Sequence, residues 1–265
     1  MPRLLTLAAL AVAFLLSAVA PAGAITNGQP DTAHPYVGML VTVLDGGVKD
    51  PVCTGTLIAP RVFLTAAHCT AYLEENDLPA FVTFGPNFDQ GSPLVAGTPV
   101  THPDWNPLVQ FQDPNTHDIA VVLLASPVTN LGYATLPALG RLDPLATRRG
   151  TQTETFTIVG YGSDGLLTGG GPPGYSFQYT RSTATASLVS LRSQLTDGYN
   201  LQLTSSPGKG QGGVCFGDSG GPVFLATSNT IVGIISSLLN FTCTGGAFAF
   251  RTDTSETVNF LAPYL

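Results

Sequence analysis

Ten short runs of apolar or alternating residues, each closed off by Gly, Pro, Asn, Asp or another polar break, constrain this chain more than any other feature. Four lie in the first half: Tyr36 to Leu44, Thr56 to Leu64, Phe81 to Phe84 and Asp118 to Leu124. Six follow: Glu154 to Gly160, Thr183 to Leu191, Tyr199 to Leu203, Pro222 to Ala226, Ile231 to Ser236 and Ala247 to Arg251. Strands of this length between turn residues predict an all-β fold, as closed barrels or a sandwich. Charged residues are only 10% of the chain, against about a quarter in an average soluble domain, and the surplus of Gly, Ser and Thr favours turn-rich β-structure over helices. One helix is expected, at about 254–262, where Thr254-Ser255-Glu256 offers an N-cap ahead of Val258, Phe260 and Leu261. The segment 126–150 is poor in strand candidates and reads as a linker, and Gly165 to Gly174 reads as a flexible surface loop.

Met1 to Ala24 reads as a secretory leader rather than part of the fold. Arg3 gives a positive start, Leu4 to Ala20 an apolar run, and Ala22-Gly23-Ala24 a small-residue cleavage pattern. The run is short, broken by Pro21 and followed by no basic flank, which disfavours a membrane anchor. About 240 residues then remain, enough for one large β unit or two small barrels. The net charge of −7, with Lys49 and Lys209 as the sole lysines, leaves no basic footprint for nucleic acid. Four cysteines in an exported chain predict two disulfides, with three connectivities open. Without a Cys-x-x-Cys pair or a His cluster, neither metal nor cofactor is expected.

Chemistry concentrates in Gly217-Asp218-Ser219-Gly220-Gly221-Pro222. Glycines let the backbone turn so that the amides of Gly217 and Ser219 face a shared point, where a developing oxyanion could sit beside the Ser219 hydroxyl. A serine needs a base and an orienting group to become a nucleophile. Leu64-Thr65-Ala66-Ala67-His68-Cys69 supplies an imidazole, and His117-Asp118 a carboxylate ahead of the apolar run Ile119 to Leu124. Taken together, in the order His68, Asp118, Ser219, these motifs resemble the chymotrypsin-like serine peptidases from Ile25 to the C-terminus.

The resemblance implies two six-stranded antiparallel β-barrels, at about 25–125 and 151–252, with the site in the cleft between them and a short C-terminal helix. It implies the pairings Cys53 with Cys69 and Cys215 with Cys243. It also implies that an α-ammonium freed at Ile25 pairs with Asp218; export alone would then activate the enzyme. Gly213 matches the position of the pocket floor, and Ser236-Ser237-Leu238 the segment that pairs with substrate. With no carboxylate at Gly213 and a side chain at Leu238, the expected preference is for small or medium apolar residues rather than Arg or Lys. Phe248 could narrow the pocket further. The reading is thus of a secreted, monomeric endopeptidase acting on proteins or peptides and open to protein inhibitors, with no nucleic-acid or membrane partner. Its alternatives are a non-catalytic homologue that only binds, and a serine esterase.

Other groups carry weaker readings. His34 and His102 each precede a proline and read as exposed turn residues. His117 adjoins Asp118 and should face away from the site if Asp118 faces in. Glu74, Glu75 and Asp77 read as an exposed acidic loop rather than a Ca²⁺ site. Asn240-Phe241-Thr242 is a glycosylation sequon.

Overall fold

Apolar residues recur in the first half closely enough to close a barrel on themselves. A computed structural model describes residues 25–107, 113–147, 153–167, 174–205 and 211–265; the expected leader, Met1 to Ala24, lies outside them. After the two-residue strand β1 (Gln29–Pro30) come β2 (Val37–Val43), β3 (Lys49–Ala59), β4 (Val62–Thr65), β5 (Ala80–Thr83), β6 (Val95–Thr101) and β7 (Ala120–Leu124). They close in the order β2-β3-β4-β7-β6-β5, each pair antiparallel. Met39, Leu40, Leu57, Phe63, Val82 and Val121 fill the interior with almost no exposed area.

The second half repeats the device. β8 (Thr155–Gly160) is followed by the hairpin β9 (Ser163–Leu167) and β10 (Gly174–Phe177), then β11 (Ser182–Ser190), β12 (Asn200–Ser205), β13 (Pro222–Leu225), β14 (Ile231–Leu238) and β15 (Gly245–Arg251). The ring β8-β11-β12-β15-β14-β13 returns to β8, so the fold is all-β, two closed six-stranded antiparallel barrels, as expected. β1 extends the second ring beside β11 through Gln29 opposite Thr183. The chain ends in helix α2 (Ser255–Leu261), where the Thr254 hydroxyl accepts the Thr257 amide at 3.3 Å. Among the described residues no helix is long and apolar enough to cross a membrane.

Several expectations need correcting. A nine-residue helix, α1 (Ala67–Glu75), follows β4 where none was read. Its first residue has no side-chain cap, and its anchors are distant in sequence: the Cys69 disulfide and the fully buried Leu73. Glu74 and Glu75 therefore sit on the last turn of a helix, and Glu74 accepts a hydrogen bond from the Thr101 hydroxyl at 2.8 Å. The run Thr56 to Leu64 divides into the end of β3 and the start of β4 around Pro60-Arg61. β6 went unread because Gly97 and Pro99 interrupt it. The stretch read as a loop from Gly165 to Gly174 contributes to the hairpin β9 and β10, with 168–173 outside the described residues.

Neither His34 nor His102 is an exposed turn residue. His34 pairs with Asp31 at 2.7 Å and stacks on Phe224 with ring centroids 4.9 Å apart. His102 is 7% exposed, packed against His117 and Phe260. The Arg181 guanidinium, also buried, bonds Asp31 at 3.0 Å and the Tyr161 hydroxyl at 3.2 Å, tying β11 to the segment that precedes β2.

The cysteines form the two disulfides Cys53–Cys69 and Cys215–Cys243, with Cα separations of 6.2 and 5.0 Å inside the ordinary range. Cys53–Cys69 spans 16 residues and fastens α1 to β3. Replacing both of its cysteines by Ala is expected to lower unfolding free energy by about 3 kcal/mol through the freed denatured chain. Urea denaturation measures it, and a loss below about 1 kcal/mol would contradict the assignment.

Candidate active site

Each candidate side chain stands where a barrel strand ends. His68 lies in the first turn of α1, just beyond β4, and Asp118 lies two residues ahead of β7, which pairs with β4. The pairing of Thr65 with Ala120 fixes how close the two can come. His68 Nδ1 lies 2.9 Å from Asp118 Oδ2 and 3.1 Å from Oδ1, and the His68 amide donates to Oδ1 at 2.9 Å. Asp118 is 1% exposed.

A fourth group joins from the second barrel. Ser236, on β14, donates its hydroxyl to Asp118 Oδ2 at 2.5 Å. The sequence placed Ser236 in the substrate pocket; the residue does line the cleft, and its hydroxyl is committed to Asp118. Burial alone would raise the Asp118 carboxyl, but the His68 charge and hydrogen bonds from His68 and Ser236 outweigh it and hold the group below the ordinary carboxylate range. Burial alone would lower His68, and the Asp118 charge and hydrogen bond overcome that, leaving the imidazole raised.

Ser219 enters from the other side of the same cleft, about 880 Å³ in volume, which His68, Trp105, Gly217, Ser219 and Ser236 all line. No hydrogen bond joins Ser219 to His68 among the described residues, an alignment that catalytic pairs often complete only with substrate bound. Gly217 has φ +93° and Gly220 φ +79°, left-handed values that favour glycine. A Cβ on Gly220 would also lie 2.1 Å from the Thr65 hydroxyl, so this loop can press on the first barrel only with glycine there.

The hydrogen bonds of the loop leave a telling gap. The Asp218 amide donates to Cys215, Gly220 to Ile235 and Gly221 to Asp218. Among the described residues the amides of Gly217 and Ser219 have no protein acceptor. These are the two groups read as oxyanion donors.

Asp218 is fully buried, and among the described residues it accepts only the amides of Gly162 and Cys215, each at 2.8 Å. Burial drives its carboxyl well above the ordinary range, and the two amides offset that only in part. Ile25 is fully buried too, and Thr26 exchanges two 3.0 Å hydrogen bonds with Gly213. Gly213 is buried directly ahead of Val214, Cys215 and Phe216, which line the cleft. Leu238 lines the cleft with Leu239, whereas Phe248 is buried in the barrel opposite Ser237. Asp50, on β3, is the one carboxylate among the described lining residues. Phe216 and Phe241 line the cleft and stack on each other, Tyr175 meets Phe216 edge-on, and the Tyr175 hydroxyl bonds the Phe241 carbonyl at 2.6 Å.

Thr54 was missed by sequence reasoning. Its hydroxyl donates to the Gly217 carbonyl at 2.9 Å and accepts the Tyr161 amide at 3.1 Å, while its amide donates to the Ser219 carbonyl at 2.8 Å. A threonine inside a strand gives no local sign of such a contact.

Comparison with known proteins bears on the whole of this arrangement. A family model described as Trypsin matches residues 25–261. Serine protease 56 of Mus musculus is 30% identical over 206 residues, covering 76% of this chain and 31% of that protein. Serine protease SP24D of Anopheles gambiae is 27% identical over 199 residues, covering 71% of this chain and 63% of its own length. The chain thus spans less than two thirds of either. A solved structure of HL collagenase superposes with a TM-score of 0.67 at 21% identity, covering 90% of this chain and 97% of the other, which shows the shared fold.

Proposed function

Because the chain belongs to the Trypsin family, we propose that it is a serine endopeptidase whose nucleophile, base and orienting acid are Ser219, His68 and Asp118. The observation that carries this reading is the pair of unpartnered amides at Gly217 and Ser219, facing a cleft that also holds an imidazole gripped through Nδ1 by a buried carboxylate. With Nδ1 committed to Asp118, Nε2 is the atom that takes the Ser219 proton as Oγ attacks the scissile carbonyl carbon. The carbonyl oxygen becomes an oxyanion, and the Gly217 and Ser219 N–H groups donate to it. His68 then returns the proton to the leaving amine, and a water activated by the same imidazole releases the acyl group from Ser219. Asp118 fixes the tautomer and stabilises the imidazolium, and Ser236 keeps that acid ionised and aimed.

Preference for small or medium apolar side chains follows from the cleft wall. Val214, Leu238 and Leu239 narrow it, and Phe216 and Phe241 add apolar area. Asp50 belongs to the first barrel rather than this wall, so a substrate Arg or Lys would be buried without a partner.

Activation follows from Asp218. The carboxylate needs a cation, and Ile25 is threaded into the same barrel beside Gly213. An α-ammonium released at Ile25 would supply that cation and fix the loop bearing the two amides. Leader removal during secretion would then be the activating step.

An active-site-directed fluorophosphonate is expected to label the protein and not its Ser219→Ala variant; labelling that survives the substitution would sink the assignment. The raised imidazole must be neutral to act as base, so kcat/KM should fall as pH drops through a value above about 6.5. Asp118→Asn should cut kcat by roughly 10⁴ and move that limb downward. On a peptide library, cleavage should fall after small or medium apolar residues, and dominant cleavage after Arg or Lys would contradict the pocket argument. The active secreted enzyme should begin at Ile25 by N-terminal sequencing. Retaining Ala24 leaves Asp218 buried without its partner, at a cost of about 3–5 kcal/mol, and should reduce activity roughly 100-fold or more; full activity with Ala24 in place would refute activation by export.

A further inference from the structure

Behind Asp118, on the side away from the cleft, three chain segments bring together donors that the proposed peptidase mechanism does not use. His102 follows β6, Asp104 lies two residues on, and His117 precedes Asp118; one donor atom from each falls within 4.8 Å of the others. Glu256, in the first turn of α2, contacts His117 Nδ1 through Oε1 and accepts the Asn115 side-chain amide at 3.2 Å. The imidazoles of His102 and His117 stack with centroids 4.9 Å apart.

We propose that His102, Asp104, His117 and Glu256 form a site for a divalent cation of the zinc class, and that filling it lowers turnover by displacing Asp118. Two imidazoles and two carboxylates are the borderline donor set that Zn²⁺ takes with four-fold coordination.

A second observation points to a missing partner here. Among the described residues six buried side-chain N or O atoms lack a hydrogen bond, and three of them occur in consecutive residues: Asn115 Oδ1, Thr116 Oγ1 and His117 Nδ1. The His117 contact with Glu256 is close but leaves Nδ1 without an aligned hydrogen bond. His102 Nδ1 holds only a 3.2 Å hydrogen bond from the Asp104 amide, which a metal could replace. The other compact group of such residues, Cys53, His68 and Cys69, is excluded because its sulfurs form a disulfide.

Coupling to the active site follows from backbone geometry. His117 sits at φ +52°, one residue from the acid, and its carbonyl accepts the Ile119 amide at 2.7 Å. Donors at 2.0–2.2 Å from a tetrahedral ion lie roughly 3.4 Å apart. Reaching that spacing, with His102 and Asp104 drawn in and Glu256 moved off its close contact, shifts His117, and Asp118 with it, against a 2.9 Å contact with His68.

The test uses the processed enzyme, and its binding arm does not depend on the proposed activity. On a His68→Ala background, which removes the active-site imidazole as a competing ligand, titration against a fluorescent zinc chelator should find one equivalent bound. Asp104→Asn and His117→Asn should each weaken that binding at least tenfold; asparagine tolerates the left-handed backbone at 117. In the activity arm, Zn²⁺ should lower kcat of the otherwise unaltered enzyme with KM nearly unchanged. Asp104→Asn, on an exposed residue outside the catalytic groups, should keep full activity without metal and lose the inhibition. Absence of saturable binding, or binding indifferent to both substitutions, overturns the site. Inhibition that persists in Asp104→Asn, or binding without loss of kcat, overturns the link to Asp118.

Discussion

Everything in the cleft depends on one threonine hydroxyl joining two barrels. Thr54 belongs to the first barrel, yet it bonds the carbonyls on either side of Asp218 and the first residue beyond β8 in the second. Its own carbonyl accepts the Thr65 hydroxyl at 2.8 Å, one strand away and three residues before His68. His68 and the loop of Ser219 are thereby referenced to a common point. Two barrels that merely touched could slide by an ångström. Hydrogen bonds among groups with almost no exposure resist that slip, because breaking them leaves buried polar atoms unsatisfied.

Around that joint the electrostatics are divided between two buried aspartates treated in opposite ways. Asp118 is surrounded by donors from His68 and Ser236 and is kept ionised. Asp218 receives two backbone amides and no cation, and burial favours its protonated form. Both are equally hidden from solvent, so partners rather than depth decide their charge. The same principle separates His68, raised by its carboxylate, from His102, lowered by burial and a neighbouring imidazole.

The sequence displayed what local backbone demands impose. Glycines at 217 and 220 are written into the motif because left-handed torsions and close approach to the first barrel require them. Most strands announced themselves through short apolar runs. What stayed hidden depends on partners far along the chain. α1 owes its place to Cys53 and to Leu73 in the core. His102 looked exposed beside a proline until Phe260 and His117 covered it. His117 does face away from the cleft, though through a left-handed turn rather than the strand alternation that suggested it. Ser236 was found by its position, while the object of its hydroxyl could not be read.

The grip of α2 on the segment before Asp118 has a temporal meaning. Glu256 and Phe260 reach His117 and His102 from a helix that is synthesised well after the first barrel. A nascent first barrel can close its own strands, but its acid lacks these outer supports until the final turn of helix has been synthesised. The order of translation thus delays the finished surroundings of Asp118 until α2 has emerged.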